Sequence, residues 1–420
     1  MPVVVKGVRP DVLVVGAGIV GLAAALRLRM EGKTVTVVDP NPPASGCSSG
    51  NAGYLSEANI FPAAALGGLR KLPQMLLDRH GPLVIRPSYL PRFIPWGLQS
   101  ARAVLPDRID AVVDALASLI RPALRSYGPF LERANARDLV EFRGALVVFT
   151  TEAGLEARSA RLARWHQNDI AVRRIGADEV AELEPGLSRD IIGGLFFENS
   201  GRCLDPRLLG ERFARQLSSE GATFVPAKVT RLEPAADGHW RVHAGAIVLE
   251  ASAVLVCAGR WSDELLHPLG YRFRLESERG YHLMLPQPGT TLSRPVSMGE
   301  AHFAATPMLD GLRLAGTAEF AGTDAPMNPA RADMLFKLAE PYLPGLSRGN
   351  ATRWMGVRPS LPDMLPAIGR AHRHGNLFYS FGHNHNGLTL AAVSADLVAD
   401  ILAGRPPSVD PAPFSLQRFA

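Results

Sequence analysis

Val12-Leu13-Val14-Val15-Gly16-Ala17-Gly18-Ile19-Val20-Gly21 runs into a helix-like Leu22–Arg29, and Asp39 closes the next apolar run, Thr34–Val38. The order is strand, glycine turn, helix, strand, acid. Gly16 permits the tight turn, Gly18 lets backbone approach a pyrophosphate, and Gly21 lets the helix sit close to the sheet. Ile19 and Val20 open the helix, whose N-terminal N–H groups are free to meet phosphate oxygens. Asp39 stands where a carboxylate can accept both ribose hydroxyls of an adenosine. An adenine dinucleotide is the ligand this unit predicts.

Which dinucleotide is decided further along. Asp39 is followed by Pro40-Asn41-Pro42-Pro43-Ala44-Ser45-Gly46-Cys47-Ser48-Ser49-Gly50-Asn51-Ala52-Gly53. A small, polar, glycine-rich segment is badly suited to a core and well suited to a loop laid along a flat ligand. Ser48, Ser49 and Asn51, with the backbone of Ala52 and Gly53, offer hydrogen-bonding groups. A nicotinamide enzyme would normally continue into another strand–helix unit here, so FAD is favoured over NAD.

The chain has 420 residues, long enough for two domains. Its 47% hydrophobic and 20% charged residues describe a globular protein, and no apolar run approaches a membrane span. The N-terminus lacks the pattern of a secretory signal. Cys47, Cys203 and Cys257 form no C-x-x-C pair, which argues against a disulfide framework or zinc site and for a reducing cytoplasm. The net charge is +5, but the 45 basic and 40 acidic residues are interspersed. That pattern excludes a polynucleotide site and leaves room for mild attraction to an anionic membrane.

Residues 62–106 are rich in proline and predict a winding connection rather than long regular elements. Ile109, Val112, Val113, Leu116, Leu119 and Ile120 predict an amphipathic helix that Pro122 perturbs. Asp205-Pro206 caps a further helix ended by Gly221, and short strands follow up to Val254–Val256. The turn Cys257-Ala258-Gly259-Arg260-Trp261 allows close approach of a dinucleotide, with Val229 beside it. Strands from Gly280 to Leu285 and Leu312 to Phe320 carry Tyr281, His282 and Glu319. The densest block, Arg353 to Gly369, contains Gly356-Val357-Arg358-Pro359. After a strand at Leu377–Phe381, Gly382-His383-Asn384-His385-Asn386-Gly387-Leu388-Thr389 leads into a last helix, whose N-terminus suits the anionic edge of a reduced flavin.

Together these pieces resemble the D-amino-acid oxidase superfamily of FAD enzymes, most closely the bacterial D-amino acid dehydrogenases. The resemblance spans nearly the whole chain. It rests on the N-terminal fingerprint, Ser48 to Gly53, Arg279-Gly280-Tyr281, Gly356-Val357-Arg358-Pro359 with Pro362-Asp363 and Pro366, and Gly382-His383 with Gly387 and Thr389. It implies an α/β fold: a Rossmann-like, glutathione-reductase-type FAD domain (1–85, 195–270 and 345–420). An α+β substrate domain (86–194 and 271–344) on a large mixed sheet is inserted into it. Arg358 falls where relatives bind the substrate carboxylate, and a guanidinium forks onto a carboxylate as lysine cannot. An Arg358 tied to Asp363 or Glu319 is the competing structural role. Tyr281 and Tyr54 are further pocket candidates.

The loop departs from the common Gly-His-Gly-Thr-Leu-Gly-Trp-Thr form. Its His383-x-His385 pattern looks more like members acting on cyclic D-imino acids such as cis-4-hydroxy-D-proline. With no third ligand nearby in sequence, a flavin-edge loop is favoured over a metal site. The resemblance implies hydride transfer from the substrate Cα to non-covalent FAD, with His385 or His383 as proton acceptor and a quinone or respiratory-chain electron acceptor. Asn384, Asn386, Gly387 and Leu388 would sit beside the flavin with Gly382, Gly356 and Thr389. A same-fold flavoenzyme acting on glycine, sarcosine, another secondary amine or a 2-hydroxy acid is the alternative. A cytoplasmic location, with peripheral membrane contact, completes the expectation.

Overall fold

The computed structural model describes residues 3–4, 9–62, 81 and 83–420. The strand Val12–Val15 is fully buried and lies between Val35–Val38 and Ala253–Val256, parallel to both. Thr223–Val225 extends the sheet on one side and Leu377–Phe381 on the other, again parallel, with Ala367–Arg370 as an antiparallel edge. Strands buried on both faces read as unbroken apolar runs, which is why Val12–Val15 shows no alternation. The helices Ile19–Met30, Pro206–Ser219 and Gly387–Ala403 pack together on one face, and Ile109–Arg133 lies against the last of them. A small sheet, whose strands include Val229–Pro234, Trp240–Ala244 and Ile247–Ala251, covers the other face through Val229, Trp240 and Val242.

The large sheet is mixed and, among the described residues, has nine strands. Its order from one edge is Thr352–Ser360, Glu276–Leu285, Gly311–Phe320, Phe303–Met308, Val296–Met298, Ala145–Phe149, Gly193–Phe197 and Val172–Gly176. Leu83–Ile85 pairs in parallel with Gly311–Phe320. One register row crosses six of these strands: Trp354, His282, Ala315, Ala304, Ser297 and Val147 are successive partners. Cross-strand partners share a face, so this row defines one side of the sheet.

Two expectations are corrected. Within 62–106, residues 63–80 and 82 lie outside the described residues, but Leu90–Ala103 is a regular helix. Pro91 sits in its first turn, where a missing N–H costs nothing. Trp96 is buried and donates its indole N–H to the Ser360 carbonyl at 2.9 Å, and Phe93 meets Phe320 with centroids 4.7 Å apart. This anchoring outweighs the helix bond lost at Pro95. The second helix runs through Pro122 and on past Pro129 to Arg133, because its buried stripe continues through Leu124, Tyr127 and Leu131.

Candidate active site

A cavity of about 1080 Å³ runs between the two large sheets. It exceeds the usual few hundred Å³ of a small-molecule pocket and has room for a dinucleotide together with a substrate. At one end Gly16 takes φ +111°, and a Cβ there would overlap the Cys257 carbonyl, so only glycine lets the two strands meet. Asp39 Oδ2 accepts from the Ala17 N–H and Oδ1 from the Asn41 N–H, both at 2.8 Å, which fixes the carboxylate at the cavity wall. Gly16, Gly18, Ile19, Val20, Pro40, Ser48, Asn51, Ala52, Val229, Ala258, Gly259 and Trp261 border the same space. Ser48 Oγ accepts from the Ile19 N–H at 3.0 Å.

The far part of the cavity meets a second helix N-terminus. Gly387–Ala403 has no side-chain cap from Asn386, and Gly387 and Leu388 of its first turn line the wall beside Gly382, Asn384 and Gly356. Asn384 donates its amide to the carbonyls of Met364 (2.8 Å) and Gly382 (3.1 Å), while its Oδ1 is buried with no partner among the described residues. Two helix N-termini opening on one cavity, with an orphaned acceptor between glycines, are a donor set that fits an elongated anionic cofactor with a ring N–H.

Gly21, Ser49, Gly53, Asn386 and Thr389 do not border the cavity. A Cβ at Gly21 would overlap the Gly16 carbonyl; Ser49 Oγ donates to the Gly46 carbonyl at 2.8 Å; Asn386 Oδ1 accepts from the Asn59 amide at 3.1 Å. Thr389 Oγ1 accepts from the Ser56 N–H at 3.3 Å, and Gly53 is left-handed at φ +68° with the Cys203 carbonyl against it. These five shape the wall from behind.

The roof is the large sheet. Alternation along Thr352–Ser360 turns Trp354, Gly356 and Arg358 to the cavity, and along Glu276–Leu285 it turns Glu278, Gly280 and His282 there. Arg358 and Glu278 are direct cross-strand partners, joined by Nη1–Oε1 at 2.8 Å. His385 Nε2 reaches the same Oε1 at 2.5 Å, and Ser360 Oγ donates to Oε2 at 2.8 Å. The guanidinium lies over Gly280, where a Cβ would overlap it, and the Trp354 ring likewise covers Gly356 and Gly50. His282 stacks on Trp354 with centroids 5.0 Å apart and donates from Nδ1 to the Gly50 carbonyl at 3.0 Å. Glu278 is buried, which alone would raise its carboxyl; His385, the Arg358 guanidinium and the Ser360 hydroxyl beside it hold it well below the usual range.

Three expected roles do not match the placement. Tyr281 borders the cavity, but its hydroxyl donates to Glu319, which also pairs with Arg279 at 3.2 Å and Arg86 at 2.9 Å. Strand alternation puts that network on the opposite side from Arg358, and burial and Glu319 push the phenol up to about 12. His383 is buried, its Nε2 within 3.0 Å of Ser394 Oγ, and burial lowers it to about 3, so it is neutral and already bonded. The two histidines of His383-x-His385 therefore point apart. Arg358 is tied to neither Asp363, which pairs with Arg418 at 2.6 Å, nor Glu319. Tyr54 and Cys47 do border the cavity, and burial pushes the Tyr54 phenol up to about 12 and the Cys47 thiol to about 11. Glu278 and Trp354 escaped the sequence reading, and His282 stood there only as a polar residue of its strand. Parity was the available signal: all three lie an even number of residues from Gly280 or Arg358.

Residues 11–401 match the family of FAD dependent oxidoreductases known as DAO. The chain belongs to this family. This DAO-family flavoprotein is 34% identical over 415 residues to a D-amino-acid oxidase of Bradyrhizobium diazoefficiens, covering 97% of the chain and 98% of the relative. It is 31% identical to a D-amino acid dehydrogenase of Chromohalobacter salexigens over 98% of the chain and all of the relative. Among solved structures it superimposes on glycine oxidase of Geobacillus kaustophilus (TM-score 0.73, 23% identity, 98% of this chain and 99% of that one). L-proline dehydrogenase of P. horikoshii matches at TM-score 0.74, with 16% identity and 98% of both chains covered. The cofactor is FAD and the flavoprotein is an oxidoreductase, as the two helix N-termini and the glycine cradle suggested. Among the described residues no helix is long and apolar enough to cross a membrane.

Proposed function

We propose that the protein oxidises a D-amino acid or cyclic D-imino acid at Cα, giving the imine. The observation that carries this is the Arg358–Glu278–His385 cluster on the cavity roof. Glu278 engages Nη1, and the rest of the Arg358 fork, lying over Gly280, has no acceptor among the described residues and suits a carboxylate. An amino acid also brings an ammonium group, which complements the buried Glu278 anion. A 2-hydroxy acid would bring no such cation.

FAD supplies the hydride acceptor. Asp39 is placed for the adenosine ribose, the Ile19–Met30 N-terminus for the pyrophosphate, and Asn384 and the Gly387–Ala403 N-terminus for the ring edge. His385 donates from Nε2 to Glu278, which leaves Nδ1 of the neutral ring as the atom we assign to take the ammonium proton, since imine formation requires a neutral nitrogen. Arg358 fixes which face of Cα meets the flavin. The names of the two curated relatives support a D-substrate. Burial keeps the Cys47 thiol at the cavity wall protonated, which supports non-covalent FAD, and a dye or quinone is the expected electron acceptor.

Anaerobic mixing with paired D- and L-amino acids, including D-proline and cis-4-hydroxy-D-proline, tests the reading. D-substrates should bleach the flavin and acid precipitation should release it into the supernatant. Bleaching by L-enantiomers or 2-hydroxy acids alone would overturn the assignment.

A further inference from the structure

A part of the cavity wall set back from Arg358 carries positive charge that the proposed reaction does not use. Arg158, on the helix Glu152–Ser159, and Arg161 just beyond it both line the cavity. Arg158 lies over the Trp165 ring, 5.1 Å from its centroid, and Arg161 over Phe61 at 4.7 Å. The Trp165 face holds the Arg158 guanidinium without neutralising it. Arg158 makes no ion pair with a carboxylate among the described residues, and its Nε is buried without a hydrogen-bond partner. Burial and the neighbouring Arg161 lower Arg158 to about 10, as expected of a cation with too little negative charge around it. Glu300 is on the same wall, but its Oε1 accepts from the N–H groups of Thr150 and Thr151, both at 3.0 Å, and so is turned to that loop.

The register row measures the separation. The Arg358 guanidinium covers Gly280, two residues along its strand from His282 of that row, and Ser297 of the row lies three strands away, beside Tyr54, which in turn neighbours Arg158. Three strand spacings and a two-residue offset along the strand put Gly280 and Ser297 about 16 Å apart. The floor between is Ala315, Gly316 and Ala304, small residues that leave the path open. A dicarboxylate spanning the two guanidinium groups would meet charge-assisted hydrogen bonds at both ends.

We infer that Arg158, with Arg161 beside it, binds a second carboxylate, so that the preferred substrates are D-amino acids with an acidic side chain. This rests on the reading of Arg358 as the clamp for the α-carboxylate. The test compares kcat/KM for D-glutamate and D-2-aminoadipate with that for the neutral isostere D-glutamine, with D-alanine as a reference. Wild type should favour the acidic substrates by at least about tenfold. Arg158→Met should bring the glutamate-to-glutamine ratio close to one and Arg158→Lys should keep part of it, each checked by flavin content. Glutarate should inhibit wild type better than butyrate does. Equal use of D-glutamate and D-glutamine by wild type, or an unchanged ratio in a flavin-loaded Arg158→Met, would overturn the inference while D-alanine turnover left the amino-acid reading standing. Failure of all four to bleach the flavin would remove both.

Discussion

Arg358 is useful because of what surrounds it. Gly280 lets the guanidinium lie flat, and Glu278 takes one of its N–H groups, so its orientation is set before substrate arrives. Lysine would keep the charge and lose the fork. Arg358→Lys is expected to lose on the order of a hundredfold in kcat/KM, a misplaced Cα costing rate as well as affinity. Normal turnover would take the carboxylate away from Arg358. Glu278→Gln removes the anion that holds His385 and Arg358 and that, on the proposed reading, attracts the substrate ammonium. Stopped-flow reduction should then show KM for zwitterionic substrates rising on the order of tenfold, with flavin content as the check on folding. Gly280→Ala tests the geometry alone, because its Cβ would lift the guanidinium while leaving every charge in place. It should lower kcat/KM without changing the FAD spectrum.

The loop 382–386 and the helix after it, with the strand that holds His282, carry two histidines buried in neutral form. His383 and His282 are each lowered to about 3 by burial, His282 also by Arg313. In the unfolded chain they titrate near 6.5. Folded values below unfolded ones mean the unfolded chain binds protons first as pH falls. The stability they contribute is therefore complete above about pH 6.5 and is lost progressively toward pH 3. Each histidine gives a slope of about 1.4 kcal/mol per pH unit in that window. Thermal melts between pH 7.5 and 4.5 should show falling Tm, and His383→Gln, able to keep a bond to Ser394, should flatten the slope. A His383→Gln protein that melts with the wild-type pH slope would show that His383 titrates normally.

Over the whole molecule, the cavity joins elements that make their contacts without closing it, so cofactor should contribute to stability. Flavin-free protein should regain several degrees of Tm on adding FAD, a ligand at a hundredfold over its Kd being worth about 2.7 kcal/mol. Asp39→Ala should need more FAD for the same gain, without unfolding the protein. The nucleotide-binding half was legible because its signals are local: Gly16, Gly18 and Asp39 belong to one strand–helix–strand unit whose spacing is read directly. The substrate end was legible only in part. Arg358 stood out through its motif, but Glu278 is 80 residues away and becomes its partner through antiparallel register. Tyr281 stood out through the Arg279-Gly280-Tyr281 motif, but it lies three residues from Glu278, so its side chain turns to the opposite face of the strand. Leu90–Ala103 was missed because its prolines spoke against a helix and the anchors of Trp96 and Phe93 are tertiary.

The segment 48–53 is held from both sides of the cavity. Ser48 takes the N–H of Ile19, while His282 and Arg313, from the large sheet, donate to the carbonyls of Gly50 and Asn51. A ligand resting on this segment thus biases the roof, and a ligand gripped by the roof biases the segment. Such coupling is reciprocal by thermodynamic necessity. Whatever factor a bound carboxylate analogue adds to FAD affinity, FAD must return to the analogue, so an inhibitor that binds better to the FAD-loaded protein should lower the Kd of FAD by the same factor.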